Sequence, residues 1–270
     1  MYLVILGIIL IAAGAYCVFF GRKKAAGDLL EIQFQETKSI PEVKEALEAM
    51  ADIDPNYREL VEVKGTAACD NPPTTPYSGK QVAFYTAVTY KVSEETRQER
   101  DSEGNVRTRT VKHEDKLSEE ESGEPLLLAD ANGNRVIIDT NGAADKLDLL
   151  KTTDRFQNAD QYNSNMYMNP RRRYREYTLS YGAGYRLLGY KQVEKTIPLL
   201  SRLYVLGEAY MENGQIYIGR PRDNSKPFIV TTKSEEELVK NKQTAVKTYL
   251  FGGIAAALIG IIMVIAGIVK

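Results

Sequence analysis

Two long apolar segments, one near each end of the chain, constrain its fold more than any other feature. The segment "YLFGGIAAALIGIIMVIAGIVK" carries no charged side chain between Tyr249 and Lys270, and Leu3 to Phe20 is equally free of charge. A run of about 20 apolar residues matches the roughly 30 Å hydrocarbon core of a bilayer at ~1.5 Å per helical residue. The sequence therefore predicts an integral membrane protein with transmembrane helices at residues 2–21 and 249–269.

Two other interpretations of these segments fit less well. A secretory signal peptide would need a basic stretch before the apolar run and a small-residue cleavage site after it, and neither is present near Leu3. A pair of buried core helices fits less well because of the length of the two segments together with the absence of any polar face.

The flanking charges predict the orientation of the chain. Three basic residues follow the first segment and three precede the second, namely Arg22, Lys23, Lys24, Lys240, Lys242 and Lys247. Because cytoplasmic flanks carry the excess of Lys and Arg, the positive-inside rule places the region between the segments in the cytoplasm.

The composition of the region between the segments limits its function. The chain has 35 Lys plus Arg against 36 Asp plus Glu, so no global basic excess points to nucleic acid. Its only two cysteines cannot build a disulfide framework. The apolar segments contain no Asp, Glu, Arg or His, and Lys only at the terminus, which argues against ion or proton conduction.

Periodicity divides this region into a helical start, a β-rich domain and a helical end. Ser39 and Glu42 in "SIPEVKEALEAM" form a capping box, so residues 22–58 are predicted as a juxtamembrane helical segment. Residues 59–232 alternate in polarity and are predicted as an antiparallel, barrel- or sandwich-like β domain. Ser234 and Glu237 suggest a second capping box, so residues 233–248 are predicted as a helix that continues into the last span. The fold class is α+β.

Three stretches of the β domain have more specific interpretations. The dipeptides Asn132-Gly133 and Asn213-Gly214 each predict a type I′ turn between two strands. The charged residues 93–124 predict a long exposed hairpin. The stretch "NADQYNSNMYMNPRRRY" shows no period and is predicted to be a loop.

The sequence contains few of the residue patterns that are typical of catalytic or metal sites. Outside the apolar segments the metal ligands with soft or imidazole donors are Cys69 and His113, whereas one structural zinc site needs about four. Asp130, Asn132 and Asn134 imitate part of a calcium loop, but Arg135 stands where its glycine belongs. We therefore expect no metal, no cofactor and no catalytic residue.

Three groups of residues are candidates for binding. Turn chemistry at Tyr77, Ser78 and Gly79 predicts a shaped loop that could contact a protein partner. A basic cluster could contact anionic lipid, although a solvated loop is the simpler interpretation; it comprises Arg171, Arg172, Arg173 and Arg175. Small residues could let the membrane helices pack together or form a homo-oligomer; they are Gly7, Gly14, Gly252, Ala256 and Gly260.

The middle of the chain resembles a known family. The resemblance lies in "TPYSGKQVAFYTAVTY", "PLLLADANGNRVIID", "GYKQVEKTIPLLSRLYVLGEAYMENGQIYIGRP" and "KPFIVTTKSEEELVK". These stretches are similar to the GIDE domain, also called the beside-a-membrane (BAM) domain, of the family of the mitochondrial E3 ubiquitin ligase Mulan. The likeness covers about Gly65 to Lys240.

The resemblance implies a domain held between two membrane helices and, in eukaryotic members, ubiquitin transfer through a zinc-binding RING after the second span. This sequence reaches Lys270 without the zinc ligands of a RING. We therefore expect a non-catalytic binding or scaffold module for a protein or lipid partner. The alternative is a ubiquitin ligase role as in the RING-bearing family members, either by this chain itself or with a separate RING subunit.

Overall fold

The structure is a computed structural model and describes residues 1–100, 105–141, 147–159 and 185–269. The chain forms two compact units. The first comprises Met1–Thr66, Leu128–Asp148 and Arg202–Lys270, and the second comprises Ala67–Leu127 and Leu149–Ser201. The chain therefore leaves the first unit and returns to it twice.

Helices occupy both ends of the first unit. They are α1 (Tyr2–Tyr16), a π-helical turn (Cys17–Gly21), α2 (Arg22–Phe34), α3 (Ile40–Ala51) and α4 (Glu235–Val269). The helical run Tyr2–Phe34 and the helix α4 are each long and apolar enough to cross a membrane, and only 11% of the most apolar part of each is buried. The predicted capping box at Ser39 and Glu42 is confirmed at the start of α3.

The described strands number ten. They are β1 (Glu59–Ala68), β2 (Phe84–Arg100), β3 (Val106–Glu121), β4 (Leu126–Ala129), β5 (Arg135–Ile138), β6 (Leu150–Asn158), β7 (Tyr185–Ile197), β8 (Arg202–Glu212), β9 (Gln215–Gly219) and β10 (Ile229–Thr231). The β-rich domain between two apolar helices is the predicted fold class.

Six strands form a barrel-like sheet. Their order is β1-β4-β5-β9-β8-β10, and β8 also pairs with β1, which closes the sheet on itself. Successive side chains of a strand point to opposite faces. Val61, Val63, Leu203 and Val205 are buried on one face, and Tyr204 and Leu206 are buried on the other. The outer face of β8 is therefore covered, as well as the inner one.

The cover over β8 comes from the helices next to the apolar segments. Ile32 of α2 and Leu238 of α4 pack with Tyr204 and Leu206 of β8 in one buried cluster, called here the juxtamembrane cluster. A partly buried ion pair joins Lys242 of α4 to Asp28 of α2, with 2.6 Å between Nζ and Oδ2. Both helices that lead to the apolar segments are thus fixed to the barrel.

The sheet of the second unit is antiparallel and has the order β3-β2-β7-β6. Strands β2 and β3 pair along their length, from Thr86 opposite Glu121 to Arg100 opposite Val106. The long hairpin predicted at residues 93–124 is therefore present, although it begins earlier in the chain. Strands β6 and β7 were not predicted individually, because charged and polar residues obscure their alternation.

The two predicted type I′ turns have different outcomes. Asn213 and Gly214 both have positive φ, at 52° and 76°, so the turn between β8 and β9 has the predicted left-handed backbone. Between β4 and β5 only Gly133 has positive φ. There the carboxylate of Asp130 accepts hydrogen bonds from the backbone N–H groups of Asn132 and Asn134, at 2.8 and 2.9 Å. The type I′ prediction at Asn132 is wrong, because the Asp130 side chain stabilises a longer loop.

Candidate functional site

The loop at Tyr77, Ser78 and Gly79 lies in the second unit and is closed by its own hydrogen bonds. The backbone N–H of Thr75 donates to the carbonyl oxygen of Lys80 at 2.9 Å. The backbone N–H of Gly79 donates to the carbonyl oxygen of Thr75 at 3.1 Å. The Thr75 hydroxyl accepts from the N–H of Lys80 at 3.0 Å. Gly79 has φ of 69°, a conformation that glycine adopts without strain. The sequence therefore folds here into a compact turn.

A buried carboxylate on the inner side of this loop accepts hydrogen bonds from it. Glu194 of β7 has no exposed surface. Its Oε2 accepts the backbone N–H groups of Tyr77 and Ser78 at 2.9 and 3.2 Å. Its Oε1 accepts the hydroxyls of Ser78 and Thr152, the latter at 3.0 Å. Burial alone would raise the pKa of Glu194, but these hydrogen bonds outweigh it and hold the pKa below its ordinary value.

The Tyr77 ring completes the attachment of the loop. Its hydroxyl lies 2.6 Å from the hydroxyl of Thr89 on β2, and its ring packs against a buried cluster that contains Val82 and Tyr85. The loop is thus anchored on its inner side, while Gly79 and Lys80 are exposed. Such an arrangement can present a fixed backbone surface to a partner without loss of conformational entropy on binding.

A second arrangement, which the sequence did not indicate, surrounds Lys64 in the first unit. Glu62 is buried at 1% exposure and accepts the Tyr204 hydroxyl at 2.7 Å and the Thr37 hydroxyl. Nζ of Lys64 lies 3.0 Å from Glu62 and 2.7 Å from Glu235. Burial and the adjacent Glu62 carboxylate raise the pKa of Tyr204, so its hydroxyl stays protonated. The network joins β1 and β8 to the start of α4.

An open cleft of about 470 Å³ adjoins this network, and its lining includes Lys64, Arg202, Tyr204, Lys233 and Glu235. Both signs of charge are present, and Lys64 and Lys233 are already paired, the latter with Asp148 at 2.7 Å. The mixed charges of this cleft do not select a ligand of one sign.

Three of the five predicted helix-packing residues, Gly7, Gly14 and Gly260, lie in the contact between α1 and α4. A Cβ added to Gly7 would lie 2.6 Å from the carbonyl oxygen of Gly260, and one added to Gly14 would lie 2.5 Å from that of Gly253. The two helices are therefore antiparallel and their backbones are in close contact, as small residues permit. A Cβ on Gly252 would meet nothing within 4 Å.

The helical rotation of about 100° per residue explains the shift from Gly252 to Gly253, since the two adjacent residues lie on different faces. Ala256 is half-buried, and the backbone N of its neighbour Ala257 would lie 2.9 Å from a Cβ added to Gly14. The predicted homo-oligomer stays a prediction, because Gly7, Gly14 and Gly260 are occupied by contacts within this chain.

The basic cluster at residues 171–175 lies outside the described residues. Arg171, Arg172, Arg173 and Arg175 therefore stay a sequence-based prediction of lipid contact. The predicted loop around them begins at Asn158, which is the last residue of β6, and from residue 160 it lies outside the described residues as well.

Comparison with known proteins decides the family. The model of the GIDE family, described as an E3 ubiquitin ligase, matches residues 94–266, which is more than half of the chain. The chain belongs to the GIDE family. The match begins within β2 and ends within α4, so it includes the second apolar helix of this GIDE protein.

One relative of this GIDE protein is the E3 ubiquitin-protein ligase SP1 of Arabidopsis thaliana. The two sequences are 28% identical over 88 residues, which is 32% of this chain and 25% of the relative. The matched region thus spans about a quarter of the relative's length. No solved structure matches the chain.

Metal ligands and nucleophiles are the remaining groups of chemical interest in the GIDE protein. Within the described ranges, no three His, Cys, Asp or Glu side chains are grouped to hold a metal ion. His113 of β3 stacks on Tyr185 of β7, with ring centroids 5.8 Å apart. Its Nε2 lies 3.5 Å from a carboxylate oxygen of Glu95. Burial raises the pKa of the Cys69 thiol, so Cys69 is not activated as a nucleophile.

Proposed function

We propose that this GIDE protein is a non-catalytic scaffold that is anchored in a membrane by two helices and presents its β-rich domain to a protein partner at the cytoplasmic surface. The observation that carries the proposal is the juxtamembrane cluster, in which Ile32 and Leu238 pack on Tyr204 and Leu206. It attaches the two helices that continue into the apolar segments directly to the barrel.

The apolar surface of α1 and α4 supports insertion into a bilayer. Ile5, Ile9, Phe19, Leu258 and Ile262 are all at least half exposed, as are many of their neighbours. Leaving one such side chain in water rather than in an apolar environment costs about 1.5–3 kcal/mol. The antiparallel pair buries little of this surface in its own contact, so a hydrocarbon environment is required to cover the rest.

The charges beside the apolar helices support a cytoplasmic domain. Lys24 and Lys242 lie on the parts of α2 and α4 that adjoin the barrel, and the other basic flanking residues lie beside them in sequence. Positive flanks are retained on the cytoplasmic side, which supports an orientation with both termini of the chain across the membrane.

The partner surface is assigned to the loop at Tyr77, Ser78 and Gly79. Glu194 and Thr89 fix its inner side, so the exposed backbone near Gly79 keeps one conformation. A preorganised loop of this kind is suited to binding. The charged group next to it, the Glu194 carboxylate, is buried and engaged in four hydrogen bonds, so it supports the loop rather than acting as an acid or base.

A second candidate function is a ubiquitin ligase role, which is favoured by the family and by the relative SP1. The 270 residues contain two cysteines and one histidine, whereas a zinc site of the structural kind uses about four such ligands. In this alternative, a separate RING subunit supplies the zinc ligands and the GIDE protein places that subunit at the membrane.

One experiment distinguishes the two functions. The full chain, purified in mild detergent both alone and together with the proteins that remain bound to it, is assayed for bound zinc and for discharge of ubiquitin from a charged conjugating enzyme. The scaffold proposal predicts less than stoichiometric zinc and a discharge rate equal to that without the protein. Stoichiometric zinc together with accelerated discharge would overturn it.

A further inference from the structure

A small basic cleft lies where α2 and α4 leave the apolar segments. It has a volume of about 200 Å³, and its lining includes Lys24 of α2, Lys242 of α4, and Arg220 and Lys226 of the loop between β9 and β10. Asp28 is the one acidic residue of this lining. Because all of these residues belong to the first unit, the cleft is a feature of that unit alone.

The basic side chains of this cleft differ in whether an acidic side chain neutralises their charge. Lys242 is paired with Asp28 at 2.6 Å. For Lys24, Arg220 and Lys226, no ion-pair partner occurs in the described part of the chain, and all three residues are exposed. Arg220 donates one hydrogen bond, to the side-chain oxygen of Asn224 at 2.8 Å. The charge of Lys226 is partly offset by the nearby Asp223 carboxylate. The cleft therefore holds two uncompensated positive charges and one that is partly compensated.

The position of the cleft along the helices places it at the level of lipid headgroups. Gly21 of the first helical run lies against the ring of Tyr249, since a Cβ on Gly21 would be 2.8 Å from a carbon of that ring. This contact marks the end of the apolar segments. At ~1.5 Å per residue, Lys24 lies about 5 Å beyond it and Lys242 about 10 Å beyond it. The headgroup layer on each side of a bilayer is roughly 5–8 Å thick, so the Lys24 end of the cleft lies within that layer and the Lys242 end lies at its outer edge.

The volume of the cleft and the chemistry of its lining residues indicate which class of ligand it can bind. Its volume is below the range of about 300–1,000 Å³ that is typical for sites of drug-sized ligands. Pro227, Phe228 and Ile229 form an apolar side beside the basic residues. A phosphate group attached to a glycerol backbone matches both properties, because it is small, anionic at one end and increasingly apolar at the other.

We propose that the cleft binds the phosphate headgroup of an anionic phospholipid from the membrane in which α1 and α4 are embedded. Basic pockets beside membrane helices hold such headgroups, and each Lys or Arg near the surface strengthens binding about fivefold. The described residues that line the cleft are different residues from the predicted arginine cluster at 171–175. It rests on the proposed membrane anchoring, but not on the identity of the protein partner.

The test uses two double variants with equal loss of charge. The double substitution K24Q and R220Q removes two cations from the cleft. The control, K23Q and R222Q, removes two exposed cations from neighbouring positions that are not part of the lining. Lys242 is left intact in both, because its ion pair with Asp28 joins the helices.

Each full-length protein, in zwitterionic micelles, is titrated with short-chain phosphatidylglycerol and, in parallel, with phosphatidylcholine, and bound lipid is counted by native mass spectrometry. We expect selective binding of phosphatidylglycerol, about 30-fold weaker in the cleft variant and within about twofold of wild type in the control. Equal binding of both lipids, or equal weakening in both variants, would overturn the site.

A third titration distinguishes a lipid headgroup from a free phosphate ester. Glycerol 3-phosphate should fail to displace bound phosphatidylglycerol at equal concentration, because it lacks the contact with the apolar wall at Phe228. Displacement at equal concentration would assign the cleft to soluble phosphate esters and overturn the lipid proposal. Membrane retention and the zinc and ubiquitin assays do not depend on these titrations, so the scaffold proposal stands or fails separately.

Discussion

The substitution Glu194→Gln tests how the loop at Tyr77 to Gly79 is held. It keeps the shape of the side chain and removes its charge. The buried carboxylate accepts four hydrogen bonds, two from backbone N–H groups and two from hydroxyls. The amide can still accept the two N–H groups through its oxygen and donate to the two hydroxyls, so the main loss is charge assistance.

The magnitude follows from the number of bonds. A hydrogen bond to a charged group contributes about 1.5–3 kcal/mol and a neutral one about 0.5–1.5 kcal/mol. Four weakened bonds, offset by the smaller cost of burying an amide, give a net loss of about 2–3 kcal/mol of local stability. Amide exchange of the peptide that contains Tyr77 and Ser78 should therefore accelerate about 30- to 150-fold, as measured by hydrogen–deuterium exchange mass spectrometry.

The matched control is Glu114→Gln, which removes an exposed ion pair with Lys191 in the same unit. Exposed pairs contribute less than about 1 kcal/mol, so exchange at Tyr77 and Ser78 should not change measurably. Equal exchange in Glu194→Gln and wild type would refute the reasoning.

The same site predicts a pH dependence. The pKa of Glu194 is lowered from its ordinary value of 4.5 in the folded state. Its stabilising contribution is therefore fully present above that value and is lost as the pH falls through the folded-state pKa. The difference in exchange between wild type and Glu194→Gln should be constant near neutral pH and shrink in acid below 4.5. A difference that grows in acid would contradict the sign of this shift.

Three further substitutions test other contacts, each by thermal unfolding of the detergent-solubilised chain. Ile32→Ala should cost about 2–5 kcal/mol because it opens a cavity in the juxtamembrane cluster, whereas Leu30→Ala, exposed on the same helix, should cost less than about 0.5 kcal/mol. Gly14→Leu should separate the apolar helices, because its Cβ would lie 2.5 Å from a carbonyl oxygen of the facing helix, whereas the Cβ of Gly252→Leu would meet no atom within 4 Å. Gly214→Ala should cost about 1–2 kcal/mol because its φ is 76°. Equal effects of Ile32→Ala and Leu30→Ala, equal effects of Gly14→Leu and Gly252→Leu, or a neutral Gly214→Ala would each contradict the structure at that position.

The features that sequence could predict are those with local causes. The apolar segments follow from composition, and the start of α3 follows from Ser39 and Glu42, which lie within one helical turn. The turn at Asn213 and Gly214 follows from two residues that tolerate positive φ. In each case the residues that determine the structure are neighbours in the chain.

The features that sequence could not predict depend on contacts between distant segments. Glu62 alternates with buried valines and would face solvent, but α2 and α4 cover that face of the barrel. Glu194 lies on a strand face made of polar residues, and the loop containing Tyr77 covers it. Strand alternation assigns such carboxylates to the surface, because it carries no information about what packs on the outer face.

The loop between β4 and β5 shows the same limit at short range. The Asn-Gly pair there predicts a two-residue turn, but Asp130 binds the backbone of Asn132 and Asn134 and stabilises a longer one. Competition between a side chain and the preferred backbone turn is decided by hydrogen-bond geometry, which a dipeptide rule does not contain.

The most direct test of the account is the sidedness of three cysteines in sealed membranes, each introduced singly into a chain in which Cys17 and Cys69 are replaced by serine. The positions are Tyr2→Cys and Val269→Cys at the ends of the apolar helices and Gln98→Cys on the exposed hairpin. In intact cells, an impermeant maleimide should label the first two and leave Gln98→Cys unlabelled until the membrane is opened. Labelling of all three from the same side, or release of the protein by alkaline carbonate, would contradict the claim that two membrane-spanning helices hold the domain at the cytoplasmic surface.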